Sequence, residues 1–369
     1  MHYTLWIPGL LPAPMHPGEQ HALALRDAVT ALRLPALEQL LARGRTTHLP
    51  GASLEHALLH QAQATSPTDT PNIDADELPA GVLSLAAIGE TADAHTHWLR
   101  ADPVHLKVNR DTLQVIPATL FDFSATEAHA LIQTLNQHFS PALTFRFISP
   151  QHWVVGLQSE VQSSFALTQL RTQPLSAVVG QDLQSHLPSG PTAKHWHSLM
   201  NELQMLLYAD AINDAREQRG APVIHGVWFW GHAPLPAWIS TDAGTRTHWY
   251  SDDLFVCGLA AALGEAHSAL PQHAARVLPS QPTAGRAHVV LDTLRHPLAI
   301  GDLHIWHERM QQLERDWFAP MLEALRREHI GMLTLIDPNH TRQVQIETTR
   351  QDLRRFWRRI KPLTHYLPN

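Results

Sequence analysis

The second half of the chain alternates short apolar runs of strand length with longer segments whose apolar residues recur every three or four positions. The apolar runs lie at residues 224–230, 288–291 and 332–336, and the helical spacing covers residues 254–263 and 303–327. Strands that alternate with helices predict a parallel sheet joined by crossover helices. Runs that are apolar throughout are typical of strands buried on both faces. The predicted fold class is therefore α/β.

The first half of the chain adds one such strand and then a region of different character. Residues 3–7 predict a buried strand, and residues 20–32 have the spacing of a helix. Two β-prone runs within residues 104–116 flank a polar turn, which is typical of a hairpin. Ser124 and Glu127 have the spacing of a capping box at the start of a helix. A hairpin-rich segment of this kind predicts an α+β unit separate from the parallel sheet.

These two patterns and the length predict two domains. A chain of 369 residues is long enough for two at roughly 150 residues each. Residues 1–95 and 221–369 are expected to form a discontinuous parallel-sheet core with crossover helices, and residues 96–220 an inserted α+β domain. Within the insert, the spacing of residues 195–218 predicts one long helix.

Composition excludes several classes of protein. The net charge of −7 and a sequence pI of about 6.4 give no reason to expect nucleic-acid binding. The single cysteine, Cys257, cannot form an internal disulfide, which favours a reducing compartment. No apolar run approaches the ~20 residues that span a bilayer, and the opening residues lack a basic leader. We therefore expect a cytoplasmic protein with no membrane partner.

Several segments resemble the archaeal-type cofactor-independent phosphoglycerate mutases of the alkaline phosphatase superfamily. The strings that carry the resemblance are FDFSATEAHALIQTLN (121–136), GQDLQSHLPSG (180–190), HGVWFWG (225–231) and SDDLFVCGLAAALG (251–264). The whole chain also resembles a proteobacterial group of regulatory proteins, named for regulation of pathogenicity factors, type E, through NELQMLL (201–207) and DWFAPML (316–322). The resemblance implies an alkaline-phosphatase-like core with an inserted substrate domain.

The resemblance also implies a two-metal active site with a Ser or Thr nucleophile, and this chain departs from that pattern. Pro8 stands where the family has its first Asp ligand, and Ala80 stands at the nucleophile position. Ser84 lies nearby but in the wrong register for that role. No catalytic residue is therefore assigned.

Other parts of the metal-binding pattern remain. The D-x-x-x-H motif keeps Asp292 and His296. Asp337 is also kept, while Pro338 replaces the neighbouring His and leaves His340 as a displaced candidate. These residues predict at most one divalent metal, Mn or Zn, because ligand number and charge set metal affinity. The alternative, which we favour, is that no cofactor binds.

A substrate site is predicted in the insert. Arg100, Arg146 and His152 lie where the mutases hold the substrate phosphate and carboxylate, and Arg binds such groups through two parallel hydrogen bonds. The alternative is that these side chains form local charge pairs.

The C-terminal segment from Arg350 to Lys361 carries six basic residues and one acidic residue. Its apolar residues have helical spacing, which predicts a terminal helix packed on the body. The alternative is a docking helix for an acidic partner or nucleic acid. The apolar residues are Leu353, Phe356, Trp357 and Ile360.

Two functions follow from the sequence. The first is a catalytically degenerate relative of the mutases with a regulatory or binding role, whose partner is a small phosphorylated ligand, another protein or a second copy of the chain. The second is a metal-dependent phosphomutase or phosphoesterase that uses a reduced site at Asp292, His296 and Asp337.

Overall fold

The computed structural model describes residues 1–12, 19–65, 77–93, 95–109, 112–158, 167–239, 247–279, 281 and 284–367. The chain divides into two compact units, each built from separate stretches of sequence. Unit 1 comprises Met1–His60, Asp242–Val256 and Gly264–Asn369. Unit 2 comprises Gln61–Thr241 and Cys257–Leu263. The predicted insert of residues 96–220 lies wholly within unit 2, which extends beyond it on both sides.

Unit 1 contains a seven-stranded sheet in the order β2-β12-β11-β1-β10-β8-β9. Its strands are β1 (His2–Trp6), β2 (Arg45–Pro50), β8 (Thr247–Tyr250), β9 (Ala266–Ser268), β10 (Arg286–Val290), β11 (Met332–Asp337) and β12 (Arg342–Thr349). The five strands from β11 to β9 are parallel, whereas β12 and β2 are antiparallel additions at one edge. The mainly parallel sheet with its helices confirms the predicted α/β class.

The helices that unit 1 contains are mostly those that the apolar spacing predicts. They are α1 (Glu19–Thr30), α2 (Pro35–Arg43), α10 (Arg295–Ala299), α11 (Leu303–Leu313), α12 (Ala319–Arg326) and α13 (Arg350–Leu353); α3 (Leu54–Thr65) begins in unit 1 and α9 (Leu254–Ala262) straddles the division of the chain. Between α11 and α12 the helix widens to a π-turn at Glu314–Phe318. Pro320, which lacks an N–H, lies two residues after that turn, in the first turn of α12. The helix expected over residues 303–327 is thus interrupted only locally.

Buried aromatic side chains hold the parallel strands together. Trp6 donates its indole N–H to His288 Nδ1 at 3.1 Å, and Trp249 stacks on the same imidazole with ring centroids 4.3 Å apart. The three residues lie on β1, β10 and β8, which are neighbours in the sheet. Burial lowers the pKa of His288 to about 3, so the imidazole stays neutral and accepts the indole hydrogen bond.

Unit 2 contains an antiparallel sheet in the order β4-β3-β6-β5, with β7 also paired to β3. Its strands are β3 (Thr96–Asn109), β4 (Thr112–Pro117), β5 (Leu143–Ser149), β6 (His152–Gln158) and β7 (Gly226–Trp230). Its helices are α4 (Ala80–Ala87), α5 (Ala125–Phe139), α6 (Leu175–Val178), α7 (Ala193–Tyr208) and α8 (Ala211–Gln218). The predicted β3–β4 hairpin and the Ser124–Glu127 capping box are both present.

Two expectations for this region are wrong. The apolar run at residues 224–230 does not join the parallel sheet, because β7 pairs antiparallel with β3 and places Trp230 opposite Arg100. An apolar run reports burial and does not identify the strand that lies beside it. Residues 195–218 form two helices and not one, because Asp210 accepts the N–H of Ile212 at 2.8 Å and caps a new helix.

The C-terminal prediction is also wrong. The helix that begins at Arg350 ends at Leu353, and Phe356, Trp357 and Ile360 are exposed and do not pack on the body.

Among the described residues no helix is long and apolar enough to cross a membrane.

Two glycines of unit 2 allow a test of how tightly α4 is held. Gly231 and Gly220 both have left-handed backbone, with φ of +70° and +71°. A Cβ on Gly231 would lie 2.4 Å from the Cβ of Ala80, whereas a Cβ on Gly220 would meet nothing within 4 Å. Gly220→Ala should therefore cost only the roughly 1–2 kcal/mol of left-handed strain.

Gly231→Ala should cost that strain and about 1–3 kcal/mol more for the overlap. Urea unfolding of both variants measures the difference. Equal losses would show that α4 moves away freely.

Candidate functional site

Three neighbouring parallel strands, β1, β10 and β11, end at the same edge of the unit 1 sheet. Trp6 pairs with Val290 on one side and with Ile336 on the other, so the three strands finish level with one another. Asp292 and Asp337 follow or end two of these strands. In open α/β sheets, sites form outside the carboxyl ends of the strands. This edge is therefore the first candidate site.

Asp337 binds the loop that follows β1. Its Oδ1 accepts the N–H of Gly9 at 3.0 Å, and its Oδ2 accepts the N–H of Leu11 at 2.9 Å. The side chain is buried. Pro8, at the position where the sequence analysis looked for an Asp ligand, lies just before these two amides, so Asp337 binds the loop that contains this position. Burial raises the pKa of Asp337 to about 7, and the hydrogen bonds from the loop amides oppose that shift.

Asp292, Arg295 and Glu55 form a largely buried ion cluster at the same edge. Arg295 Nη2 donates to Asp292 Oδ2 in a short ion pair, and Nη1 donates to Glu55 Oε1 at 3.2 Å. Asp253, which caps α9 by accepting two of its backbone N–H groups, contributes a third negative charge. Within the described part of the chain, Asp292 Oδ1 is buried without a hydrogen-bond partner. The guanidinium of Arg295 thus supplies positive charge to three carboxylates, those of Asp292, Glu55 and Asp253.

The charges in this cluster shift one another. Burial raises the pKa of Asp292 to about 7; Arg295 opposes that shift, and Asp253 and Glu55 add to it. Burial alone would lower the pKa of Arg295, but Asp292, Glu55 and Asp253 together raise it, so the guanidinium stays charged. A buried carboxylate is costly unless a cation compensates for it, and Arg295 fills that role here.

The predicted metal ligands are not grouped as a ligand set. Asp292 pairs with Arg295, Asp337 binds backbone amides, and His340 is exposed. Burial, followed by the charge of Arg295, lowers the pKa of His296 to about 3. Among the residues that the structure describes, no three His, Cys, Asp or Glu side chains are arranged to hold a metal ion.

The expected nucleophile position lies in unit 2. Ala80 begins α4 and is fully buried. Ser84, one turn later, donates its hydroxyl to the carbonyl oxygen of Ala80 at 2.7 Å and accepts from Arg100 Nη1 at 3.3 Å. The Ser84 hydroxyl is buried and already acts as both a hydrogen-bond donor and an acceptor. It therefore has a structural role and is not available as a nucleophile.

Arg100 is the centre of a buried polar cluster on the unit 2 sheet. Its Nε and Nη2 donate to Asp102 Oδ1 at 3.0 and 2.6 Å, and Nη2 also contacts His152 Nδ1 at 2.6 Å. Trp230 donates its indole N–H to Asp102 Oδ2 at 2.8 Å, and its ring lies under the guanidinium. Arg100 is 3% exposed and Asp102 1%. Arg100 and Asp102 are two apart on β3, so they share one face of the strand.

The cluster binds its charges internally. Burial by itself raises the pKa of Asp102, but Arg100, His152 and Trp230 together hold that pKa below its ordinary value. His152 Nδ1 lies 3.3 Å from Asp102 Oδ1 as well as 2.6 Å from Arg100, and it can accept from the arginine or donate to the carboxylate, but not both.

The predicted substrate clamp of Arg100, Arg146 and His152 is brought together only in part. Arg100 and His152 are in contact, but the donors of Arg100 face Asp102, Ser84 and His152 and not an open cavity. Arg146 lies elsewhere, in a short pair with Glu90 and over the ring of Trp98 at 5.3 Å. This arrangement matches the alternative of local charge pairs.

Several contributors to these clusters were not predicted, among them Asp102, Arg295 and Glu55. Asp102 could have been found, because its spacing from Arg100 places both on one strand face. Arg295 directly precedes His296 in the D-x-x-x-H string, and a buried carboxylate followed by an arginine indicates an ion pair. Glu55 gives no local signal, since it is far from Arg295 in sequence.

The chain resembles solved structures at low identity. The PH0037 protein from Pyrococcus horikoshii is 12% identical, with 94% of this chain and 87% of that chain covered and a TM-score of 0.53. A cofactor-independent phosphoglycerate mutase from Thermoplasma acidophilum is 14% identical, with 94% and 89% covered and a TM-score of 0.42. No protein-family model and no curated protein matches the chain. Similarity at this identity concerns the fold and not the activity.

The buried pair of unit 2 can be compared with an exposed pair in the same unit. Asp102→Ala leaves the guanidinium of Arg100 buried without its carboxylate, which should cost about 3–5 kcal/mol. Glu90→Ala removes the exposed partner of Arg146 and should cost less than about 1 kcal/mol. Chemical denaturation of both variants gives the two values. Similar small losses would mean that Arg100 reaches solvent.

The sheet edge of unit 1 predicts a pH dependence. The folded-state pKa of Asp337 is raised, so between about pH 4 and 7 the folded state keeps a proton that the unfolded state has lost. The stability of the wild type relative to Asp337→Asn should therefore fall by about 2–4 kcal/mol as the pH rises through that window. Urea midpoints at several pH values measure it. A difference that is constant from pH 4 to 7 would contradict the raised pKa.

Proposed function

We propose that this chain is a catalytically inactive relative of the cofactor-independent phosphoglycerate mutases, with a regulatory role exercised by binding a partner. The observation that carries the proposal is the use of the sheet-edge carboxylates by the protein itself. Asp337 binds two backbone amides, and Asp292 binds Arg295. Both oxygens of Asp337 and one oxygen of Asp292 are thus engaged inside the protein, whereas metal-assisted phosphoryl transfer requires carboxylates that face the ion.

The charge of Arg295 explains how the fold tolerates that edge without a metal. A divalent ion in a carboxylate-lined site offsets the cost of burying the negative charges. Here a guanidinium between Asp292 and Glu55 supplies positive charge at the same place. Arg295 is therefore proposed as an internal cation that makes the edge stable while leaving it without Lewis-acid chemistry.

The position expected for the nucleophile supports the same proposal. Ala80 has no hydroxyl, and Ser84 uses its own in hydrogen bonds to Ala80 and Arg100. Phosphoryl transfer through a covalent intermediate needs a side chain that can attack phosphorus. Binding functions need no such group.

A second candidate function, a metal-dependent phosphomutase or phosphoesterase, is favoured by one observation. Asp292 Oδ1 has no hydrogen-bond partner among the described residues, and three carboxylates share one guanidinium. A Mn or Zn ion held by Asp292 would satisfy both, but Arg295 would have to move away first. The two functions therefore differ in what metal does to the wild-type chain.

Metal binding and turnover distinguish them. We expect purified wild type to carry no stoichiometric Mn or Zn, to show no metal-induced rise in melting temperature, and to turn over neither 3-phosphoglycerate nor p-nitrophenyl phosphate. Arg295→Gln leaves the carboxylates without their cation and should cost roughly 3 kcal/mol. Mn²⁺ or Zn²⁺ should restore part of that loss, since the ion then takes the place of the guanidinium.

Arg309→Gln is the matched control, because Arg309 is an exposed arginine of unit 1 that donates to Gln312. It should unfold like the wild type with or without metal. Metal-dependent turnover by the wild type, or one tightly bound ion per chain, would refute the proposed inactivity and favour the second function.

A further inference from the structure

Strand β2 is an open edge of the unit 1 sheet. It lies at the end of the strand order and pairs only with β12 among the described residues. All six residues of Arg45–Pro50 are exposed. In an antiparallel pair alternate residues direct their N–H and C=O groups away from the partner strand, so the outer side of β2 presents a row of backbone groups. Such an edge can pair with another extended segment.

The C-terminal basic segment, residues 354–361, lies at the start of this strand. Arg358 Nη1 donates to the carbonyl oxygen of Gly44 at 2.7 Å, and Gly44 directly precedes β2. Arg355 pairs with Asp352 at 2.8 Å at the end of α13. These contacts fix the segment beside the edge strand.

This segment combines positive charge with exposed apolar side chains. Phe356 is 80% exposed, Trp357 66% and Ile360 49%. Phe356 and Trp357 contact each other edge to face, with ring centroids 5.4 Å apart. Arg354 and Arg359 are exposed alongside them. Exposed aromatics next to arginines have the composition of binding hot spots.

We propose that the edge of β2 and the basic segment together form the docking site for an acidic, extended segment of a partner protein, which adds to the sheet as an eighth strand. The backbone of β2 would supply the ladder of hydrogen bonds, as in other strand-addition complexes. Arg354 and Arg359 would pair with partner carboxylates, and Phe356 and Trp357 would cover its apolar side chains. β2 itself carries no acidic residue, and its Arg45 lies opposite Glu347 of β12, so the positive charge for the partner comes mainly from the basic segment.

Charge argues against a second copy of this chain as the occupant. In a symmetric antiparallel pair, the Arg45 end of one β2 would meet the Pro50 end of the other. Arg342 of β12 lies opposite Pro50 and is exposed, so the Arg45 of the other copy would lie one strand beyond an arginine at both ends, with no acidic residue of β2 to pair with it. A lipid surface or a nucleic acid could form ion pairs with the arginines. Neither would form a ladder of hydrogen bonds with the backbone amides and carbonyls of β2.

The test uses the full chain and dye-labelled decapeptides. The acidic probe alternates glutamate and valine; the matched probes alternate lysine and valine, or carry the acidic sequence with alternate backbone nitrogens methylated. Fluorescence anisotropy should show the acidic probe binding at least about tenfold more tightly than either matched probe. The acidic probe should also slow amide hydrogen exchange within residues 45–50.

Variants separate charge from packing. Arg354→Glu combined with Arg359→Glu should weaken binding by about tenfold or more, and Trp357→Ser should weaken it severalfold. Arg26→Glu combined with Arg309→Glu changes two exposed arginines elsewhere in unit 1 and should leave binding unchanged. All of these side chains are exposed, so melting temperatures should stay close to that of the wild type.

Several results would overturn the proposal. They are equal binding of the lysine probe, undiminished binding of the methylated probe, binding without slowed exchange in residues 45–50, and no binding of the acidic probe. Protection of residues 45–50 that rises with protein concentration, or that needs anionic vesicles or nucleic acid, would assign the edge to those occupants instead. The inference extends the proposed binding role but does not rest on the lack of catalysis, so turnover would refute that role and leave the peptide results unaffected.

Discussion

Compensation of buried negative charge at the carboxyl edge of the parallel sheet governs what this molecule can do. Parallel strands bring Asp292 and Asp337 to one edge, where burial raises the pKa of both to about 7. Each carboxylate has its own partner: the guanidinium of Arg295 pairs with Asp292, and two backbone amides donate hydrogen bonds to Asp337. These contacts offset part of the cost of burying each carboxylate, and they leave Asp292 Oδ1 without a hydrogen-bond partner among the described residues.

The same solution appears in unit 2, with the signs reversed. There the buried Arg100 forms an ion pair with Asp102. Trp230 donates a further hydrogen bond to Asp102, and Ser84 accepts one from Arg100. Removing one partner of such a pair costs far more than the intact pair contributes, because the remaining charge stays buried. The charged residues of both clusters are therefore committed to internal structure. A site for a small anionic substrate would need donors with room to turn toward it.

Much of the fold could be predicted from the sequence because periodicity reports burial directly. The strands β1, β10 and β11, the β3–β4 hairpin and the capping box at Ser124 all have local signals. The partner of an apolar strand has none, so residues 224–230 were assigned to the wrong sheet. The helix break at Asp210 could have been found, since an Asp followed by helical residues is a frequent N-cap.

The candidate sites were harder to predict for a related reason. Resemblance identifies which residues occupy a position but not what lies against them. Asp292 and His296 keep a ligand pattern, yet Arg295 between them decides the chemistry, and Glu55 reaches the cluster from far away in sequence. Likewise, helical spacing in residues 353–360 predicted a packed face. In the structure the helix ends at Leu353, and Phe356, Trp357 and Ile360 are exposed. Spacing alone does not show whether an apolar surface lies opposite a predicted face.

The distribution of satisfied and unsatisfied groups then separates binding from catalysis. Catalytic sites hold polar groups in clefts with some of their hydrogen bonds unformed, and the transition state forms those hydrogen bonds. Among the described residues the unit 2 cluster has its hydrogen bonds filled, whereas Asp292 Oδ1 and Arg295 Nε at the sheet edge of unit 1 have no partner. The larger set of open interactions lies on the surface, in the outer backbone groups of β2 and the exposed aromatics of Phe356 and Trp357. An extended backbone matches the spacing of the exposed groups at a strand edge, and this match is the basis of the proposed docking site.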